Sequence, residues 1–282
     1  MPLKDELRTL LTAAKLGWAI ESNWTDAYLF VVYSVARPVA SALVLVFMYL
    51  VVAGGNTRPE VVGFLVVGNA FWAFVSNGLQ GLAWGVLDDR ERYLMLKYVY
   101  IAPARFYTYL LGRGSAQLAS ASAAAVITLG VGGLFLGVPI DLSRLNWPLL
   151  LLALALGYIG IAAVGIAVAG LSLNISRESW GFSEGVAGTL FLLCGAIFPI
   201  AVLPDWVQPI ARALPFTYWL EATRRAFFGT TQGFSLTDLD TAQVLLYLVV
   251  TTVAFAFLAN LVFAWSEHRA KERGLIDWVS GS

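Results

Sequence analysis

The side chains that most often do chemistry are scarce in this chain and poorly placed for it. His268 is the single histidine and Cys194 the single cysteine. No His/Cys/carboxylate set has metal-ligand spacing, and no histidine falls within the apolar stretches to complete a Ser/His/Asp set. No Gly-x-x-x-x-Gly-Lys is present to cradle the phosphates of a nucleotide, so this chain is not expected to hydrolyse one itself. Three groups of polar residues remain. The first is a dense charge run, Asp88-Asp89-Arg90-Glu91-Arg92, which leads into Tyr93-Leu94-Met95-Leu96-Lys97-Tyr98-Val99-Tyr100-Ile101 and is broken by Pro103. It reads as a short helix over 88–101 with a charged start and an apolar, aromatic remainder, a surface able to dock a soluble partner. A solvated loop with ordinary interfacial aromatics fits the same residues.

The second group lies in residues 203–229, LPDWVQPIARALPFTYWLEATRRAFFG, a stretch too polar to span a membrane and too apolar for a free loop. Pro204, Pro209 and Pro215 divide it into short helical pieces. Glu221 meets Arg224 or Arg225 at i+3 and i+4 helical spacing. Partly inserted helices fit such a segment, because irregular backbone at membrane depth is tolerated only where protein or a cavity surrounds it. The third group is polar residues inside apolar runs. Arg37, followed by the kinking Pro38, would be costly in lipid and should face the bundle interior or water. It reads as a pathway or gating residue, or, preferred here, as a structural one, held by a fixed partner or set near the headgroups by a span that starts later. Glu184 reads as an interface position. Asn69, Asn77 and Gln80, set among glycines, read as helix-packing glue, with a pathway lining as the alternative.

The elements that must position these groups are membrane helices. Hydrophobic residues make up 59% of the chain and charged ones 13%, against roughly half and a quarter in a soluble domain. The excess falls in continuous runs past 20 residues, enough for a helix to cross a hydrocarbon core of about 30 Å. The pattern predicts an all-α integral membrane protein with six spans at 27–52, 61–86, 115–136, 147–173, 182–203 and 242–265. A loop at 87–114, a partly inserted re-entrant segment at 204–241 and a charged tail at 266–282 complete the layout. Residues 1–26 read as an amphipathic helix in the membrane interface. Leu3, Leu7, Leu10, Leu11, Ala14 and Trp18 recur on one face, and Lys4, Asp5, Arg8, Thr12 and Lys15 on the other.

Lys and Arg set the orientation. Lys4, Arg8, Lys15, Arg90, Arg92, Lys97, Arg105, Arg113, Arg177, Arg269, Lys271 and Arg273 fall on one side, and only Arg58, Arg144, Arg212, Arg224 and Arg225 on the other. Both termini are therefore expected in the cytoplasm. Trp24, Trp147, Trp206 and Trp265 mark span ends, and Gly54, Gly55, Asn56 and Pro59 the first turn. The loop after the third span holds Pro139. Net charge is zero, which gives no field to attract nucleic acid. No internal repeat is visible.

The order of motifs after the fifth span resembles the signature of the type-2 ABC exporter permeases. That signature is an aromatic-Pro, then Leu-Pro-x-Trp, an apolar run, Leu-Pro-aliphatic-Thr-Tyr, an acid and an Arg. Here these are Phe198-Pro199, Leu203-Pro204-Asp205-Trp206, Leu214-Pro215-Phe216-Thr217-Tyr218, Glu221 and Arg224. The six-span layout and the N-terminal helix resemble the same family, so the resemblance covers nearly the whole chain. There are departures. Cys194-Gly195 stands where Ser-Gly is common, and Tyr93-Leu94-Met95-Leu96-Lys97 replaces a Gly-Thr-Leu-Glu between Glu91 and Pro103.

The resemblance implies a multi-pass permease of the plasma (inner) membrane, paired with a second permease chain as a homodimer, that moves a lipid, glycan or hydrophobic compound outward. It implies a separate cytoplasmic ATPase subunit that binds the ATP and Mg. Asp88, Asp89, Arg90, Glu91, Arg92, Tyr93 and Lys97 would couple to that subunit. Phe198, Pro199, Pro204, Trp206, Pro215, Tyr218, Glu221 and Arg224 would form the external gate. A stand-alone ion-coupled carrier and a non-transporting scaffold are the readings from other classes. The carrier would want acids at mid-membrane, where Glu184 is the sole candidate and a shallow one.

Overall fold

The computed structural model describes residues 3–23, 26–54, 58–138, 140–175, 179–229 and 236–276. Trp24, Gly55, Asn56, Pro139 and Arg177 lie outside the described residues. Within them every regular element is helical: α1 (Leu3–Ser22), α2 (Ala27–Val52), α3 (Pro59–Leu87), α4 (Leu96–Ile101), α5 (Phe106–Phe135), α6 (Trp147–Asn174), α7 (Ser179–Leu193), α8 (Gln208–Ala213), α9 (Pro215–Phe228) and α10 (Thr241–Glu272). Five stretches are long and apolar enough to cross a membrane: Val32–Val52, Pro59–Arg92, Phe106–Phe135, Trp147–Asn174 and Thr241–Glu272.

The fifth expected span, 182–203, differs from the others. α7 has 15 residues, about 22 Å at 1.5 Å per residue, short of a core of about 30 Å. It stops at Leu193, where the sequence pattern runs apolar to residue 203. Gly195 takes a left-handed φ of 71°, which ends the helix, and Pro199 prevents its resumption. A short turn, Ile200–Val202, then leads to α8 and α9.

α3 is the hub. Its apolar residues and glycines are buried along its length, and it packs against α2, α5, α6, α7 and α9. Pro59 at its first position is pre-set for a helix start. α6 packs on α3 and α10, with Asn146 capping it by accepting the Leu149 N–H at 3.1 Å. α10 begins in a reciprocal cap: Asp240 accepts the Gln243 N–H at 2.6 Å, and Gln243 accepts the Asp240 N–H at 2.9 Å.

Two departures from the sequence pattern concern charge. The run Asp88–Arg92 continues α3 as a five-residue π-turn and is not the start of the loop helix. The loop helix proper is the six-residue α4, set off by Leu94 at φ 55°. α5 starts at Phe106, so Arg105 and Arg113 belong to the helix cap and helix body and not to a loop ending near 114. Charge marks a loop in sequence only when it has no partner, and Arg113 has partners on α3.

α9 sits inside this frame. Pro215 through Ala226 are buried, and Trp219 is fully enclosed. Its indole is edge-on to Phe71 and Phe74 and lies against Gly157 of α6. A β-carbon at Gly157 would overlap indole Nε1, so the glycine is what admits Trp219. Gly157→Val is expected to cost about 2–3 kcal/mol through overpacking. Thermal melting in detergent should show this as a fall of several degrees, with Gly181→Val, which faces open space, as the unchanged control.

Candidate functional site

Two polar centres stand at opposite ends of α3. The first gathers at its C-terminal end. Asp89 has no exposed surface; its Oδ2 accepts the Tyr109 hydroxyl at 2.6 Å, and Oδ1 lies 3.7 Å from Arg113 Nε. Arg90 is equally buried. Its Nη1 donates to the Leu173 carbonyl at 3.1 Å, and its Nη2 to the Ile175 carbonyl at 2.9 Å and to Glu91 Oε1 at 2.8 Å. These carbonyls end α6, so Arg90 places a cation on the negative end of that helix and satisfies acceptors the helix cannot.

Burial therefore divides the expected coupling residues. Asp89 and Arg90 face inward, and Asp88 and Glu91 are half-buried. Arg92, Tyr93 and Lys97 are exposed. With them the structure exposes residues that the charge pattern did not single out: Leu94, Tyr98 and Ile101, the last two 64% and 79% exposed.

α4 is not free to drift. Leu96 is buried, and Tyr100 stacks on Phe106 at 4.5 Å between ring centres. Tyr100 also lies beside α10: Lys271 Nζ is 5.1 Å from its ring, and the Glu267 carboxylate, held by Lys271 at 2.9 Å, faces its hydroxyl. Burial, then the Glu267 charge, pushes the Tyr100 hydroxyl above its usual range. α1 closes the same end. It packs on α5, with Glu6 bonded to Thr108 and paired with Arg105 at 3.0 Å. Its Leu7, Leu11 and Trp18 remain about half exposed. Burial raises the Glu21 carboxyl, while Arg113 and Arg37 act to lower it. The Arg37 side chain is exposed on α2 and outside the bundle core.

The second centre is α9. Arg225 Nε pairs with Glu221 Oε1 at 2.8 Å, and its Nη2 donates to the Leu236 and Leu239 carbonyls at 2.8 and 2.9 Å. Arg224 turns the other way. Its Nη2 donates to the Gly195 and Ala196 carbonyls, both at 2.9 Å, and its guanidinium lies 3.6 Å over the Phe64 ring. It thereby satisfies the backbone that the end of α7 leaves open. Gly68 of α3 makes room, since a β-carbon there would collide with both the Ala196 carbonyl and the Arg224 guanidinium. Tyr218 donates to the Arg212 carbonyl at 2.7 Å. Arg212 also pairs with Asp238 at 2.7 Å, a bond that holds the Asp238 carboxyl below its usual range.

The motif residues accordingly separate by environment. Pro215, Tyr218, Glu221 and Arg224 are buried, Phe198 and Pro199 half-buried, and Pro204 and Trp206 exposed. Asn69 accepts the Ser41 hydroxyl at 3.0 Å and so ties α2 to α3. Glu184 is exposed on α7 and accepts from Gln80 at 2.9 Å. Asn77 is half-buried in α3. Sequence reasoning passed over Tyr109, Trp219 and Glu267, counted Arg113 only as loop charge, and took Gly68 only as a packing glycine. A lone Arg at position 113 followed by a long uncharged run was the one available signal among them.

This arrangement, apolar helices around a buried, Arg-anchored α9 with a charged turn at the far end, accompanies a match of residues 14–228 to the family described as ABC-2 type transporter. The chain belongs to that family. With five helices among the described residues long and apolar enough to cross a membrane, it is a multi-pass membrane protein of that family. The match runs from α1 to the last residue of α9 and so takes in both polar centres. The chain is also similar to Nodulation protein J of Sinorhizobium fredii (strain NBRC 101917 / NGR234), 33% identical over 94 residues. That stretch is 31% of this chain and 34% of the relative, so only about a third of the relative's length is spanned.

Proposed function

We propose that this ABC-2 chain works as one of two identical permease chains driven by a separate cytoplasmic ATPase subunit, which binds the ATP and Mg. The two chains move a lipid, glycan or hydrophobic compound outward across the plasma (inner) membrane. The observation that carries the reading is α4, a six-residue helix that presents Tyr98 and Ile101 outward while Leu96 and Tyr100 fasten it to the bundle. An exposed aromatic and aliphatic pair beside Arg92, Tyr93 and Lys97 has the composition of a protein-binding hot spot. A force on it reaches α5 through Phe106 and α10 through Lys271 and Glu267.

The exposed face of α1 suits the membrane interface beside α4, with both termini in the cytoplasm. At the opposite end, Trp219 meets α6 about 15 Å from its start at 1.5 Å per residue, which fits α9 as a re-entrant helix reaching into the outer half of the membrane. Arg224, and Arg225 oriented by Glu221, hold it there as part of an external gate. The exposed apolar faces of α2 and α7 are left for the second chain and lipid.

Co-purification with the cognate ATPase subunit, followed by ATPase activity in lipid, tests this. Tyr98→Asp combined with Ile101→Asp is expected to weaken the complex by at least about 2 kcal/mol, roughly 30-fold in Kd, at an unchanged melting temperature. A complex of undiminished affinity would move the docking surface elsewhere. A chain that binds no ATPase subunit would end the reading. ATP-dependent accumulation of cargo inside inverted vesicles distinguishes export from import.

A further inference from the structure

A groove of about 370 Å³ opens at the end of the bundle remote from the charged turn, between the last turns of α2, the first turns of α3 and the chain just past α7. Met48 and Tyr49, Val61 and Phe64, and Phe198 and Pro199 line it. Its one polar lining group, the Tyr49 hydroxyl, already accepts the Arg58 N–H at 3.1 Å. The floor is closed: Phe64 carries the Arg224 guanidinium on its ring. Apart from that hydroxyl's own O–H, which is left to donate, the side chains of the walls are apolar and offer a ligand no hydrogen bond. A sugar or any other polar guest would lose most of its hydration there without replacement. The open side runs onto the exposed apolar surface of α2, where Val44, Phe47, Val51 and Val52 are 55–82% exposed, so a hydrocarbon chain can enter sideways from the bilayer.

Arg58 adds charge. It is exposed, its backbone is tied to Tyr49 at the rim, and among the described residues it has no ion pair. Glu60, exposed two residues on, has the opposite sign, so the headgroup contact rests on Arg58 alone and the apolar walls carry most of the binding. We propose that this groove is a lipid site that takes one acyl chain of an anionic phospholipid from the outer leaflet, with the headgroup at Arg58. The chain would wedge between α2 and the Phe198–Pro199 turn. That turn follows the Gly195 and Ala196 carbonyls held by Arg224, so an occupied groove supports the segment on which α9 is anchored. The choice of the outer leaflet rests on the proposed orientation, with both termini in the cytoplasm, and not on the direction of transport or the identity of cargo.

Photo-crosslinking tests it. The full chain is placed in nanodiscs doped with phosphatidylglycerol carrying a diazirine midway along one acyl chain, or with the matching phosphatidylcholine, and the adducts are mapped by peptide mass spectrometry. Adducts on the outer turns of α2 and at Phe198–Pro199 are expected to exceed those on the exposed α10 face (Leu246, Val250, Val253) by about tenfold, the factor that 1.4 kcal/mol of preference supplies. Val61→Trp and Met48→Trp, each checked for an unchanged melting temperature, should remove the excess by filling the groove. Arg58→Ala should lower the phosphatidylglycerol adducts to the phosphatidylcholine level. Uniform labelling of every exposed face in the unmodified chain would overturn the proposal. So would efficient disulfide cross-linking between two Val52→Cys chains with loss of the groove adducts, which would make the groove a chain–chain interface. Cys194 is buried and does not compete in that assay. Equal labelling by the two lipids, insensitive to Arg58→Ala, would overturn the anionic headgroup.

Discussion

Arg224→Ala is expected to destabilise the protein by about 3 kcal/mol, since hydrogen bonds from a charged donor contribute about 1.5–3 kcal/mol each. Two are lost together, those to the Gly195 and Ala196 carbonyls, and both carbonyls are left buried without the donor that now serves them. The stacking on Phe64 goes with them. A melting temperature lower by roughly 5 °C is the expected reading for a chain of this size. Arg224→Lys should recover little, because an ammonium on a shorter stem cannot present the planar fork that reaches both carbonyls while lying flat on a ring. A variant that melts as the unmodified chain does while losing transport would instead make Arg224 a pathway residue with no role in holding the end of α7.

Arg90→Ala is expected to cost a similar amount, about 3 kcal/mol, for a related reason. The guanidinium ends α6 by binding the Leu173 and Ile175 carbonyls, and no other described side chain is bonded to them. Arg92→Ala, two residues on and exposed, should change stability by less than about 0.5 kcal/mol. Thermal melting of the pair separates a supporting role for the charge run from a docking role. If Arg90→Ala left the melting temperature alone and weakened only the ATPase contact, the inward orientation of Arg90 would not persist in the assembled transporter. Together with the Tyr98 and Ile101 variants, this pair divides one continuous stretch of sequence into a buried half that braces α6 and an exposed half available to a partner.

Much of the architecture was legible because lipid imposes a strong rule. Uncharged or nearly uncharged runs past 20 residues leave little choice but a membrane helix, and those at α2, α3, α6 and α10 stand out by composition alone. The order of motifs from Phe198 to Arg224 was legible too, and with it the resemblance that the match over residues 14–228 converts into family membership. Where sequence reading placed residues less well, the cause was charge read without its partner. Arg113 looked like loop because an unpaired cation does not enter a span; the structure sets it beside Asp88 and Asp89. Asp89 and Arg90 looked like surface for the same reason. Arg37 was read as facing the bundle interior or water, with a structural role preferred; α2 is a peripheral helix, and Arg37 is exposed on it.

The end of α7 shows the limit from the other direction. Hydropathy continues unbroken through Leu193, Gly195, Ile197, Ile200 and Leu203, so hydropathy alone does not mark the end of the helix, and Gly195 and Pro199 are the breakers within the run. The backbone turns away because Gly195 can take a left-handed φ and because Arg224, 29 residues later, supplies the hydrogen bonds that an interrupted apolar helix lacks.

The sequence by itself determined that the chain is an all-helical membrane protein, which stretches are apolar enough to span, and which family's motif order it carries. Those properties follow from local composition and short-range spacing, and a hydrocarbon solvent amplifies both. Only the tertiary structure decided which charges are buried and which exposed, that α9 occupies the core beside Gly157, and where an apolar groove is left open to lipid. Each of these is set by contacts between residues far apart in the chain, to which neither hydropathy nor helical periodicity is sensitive.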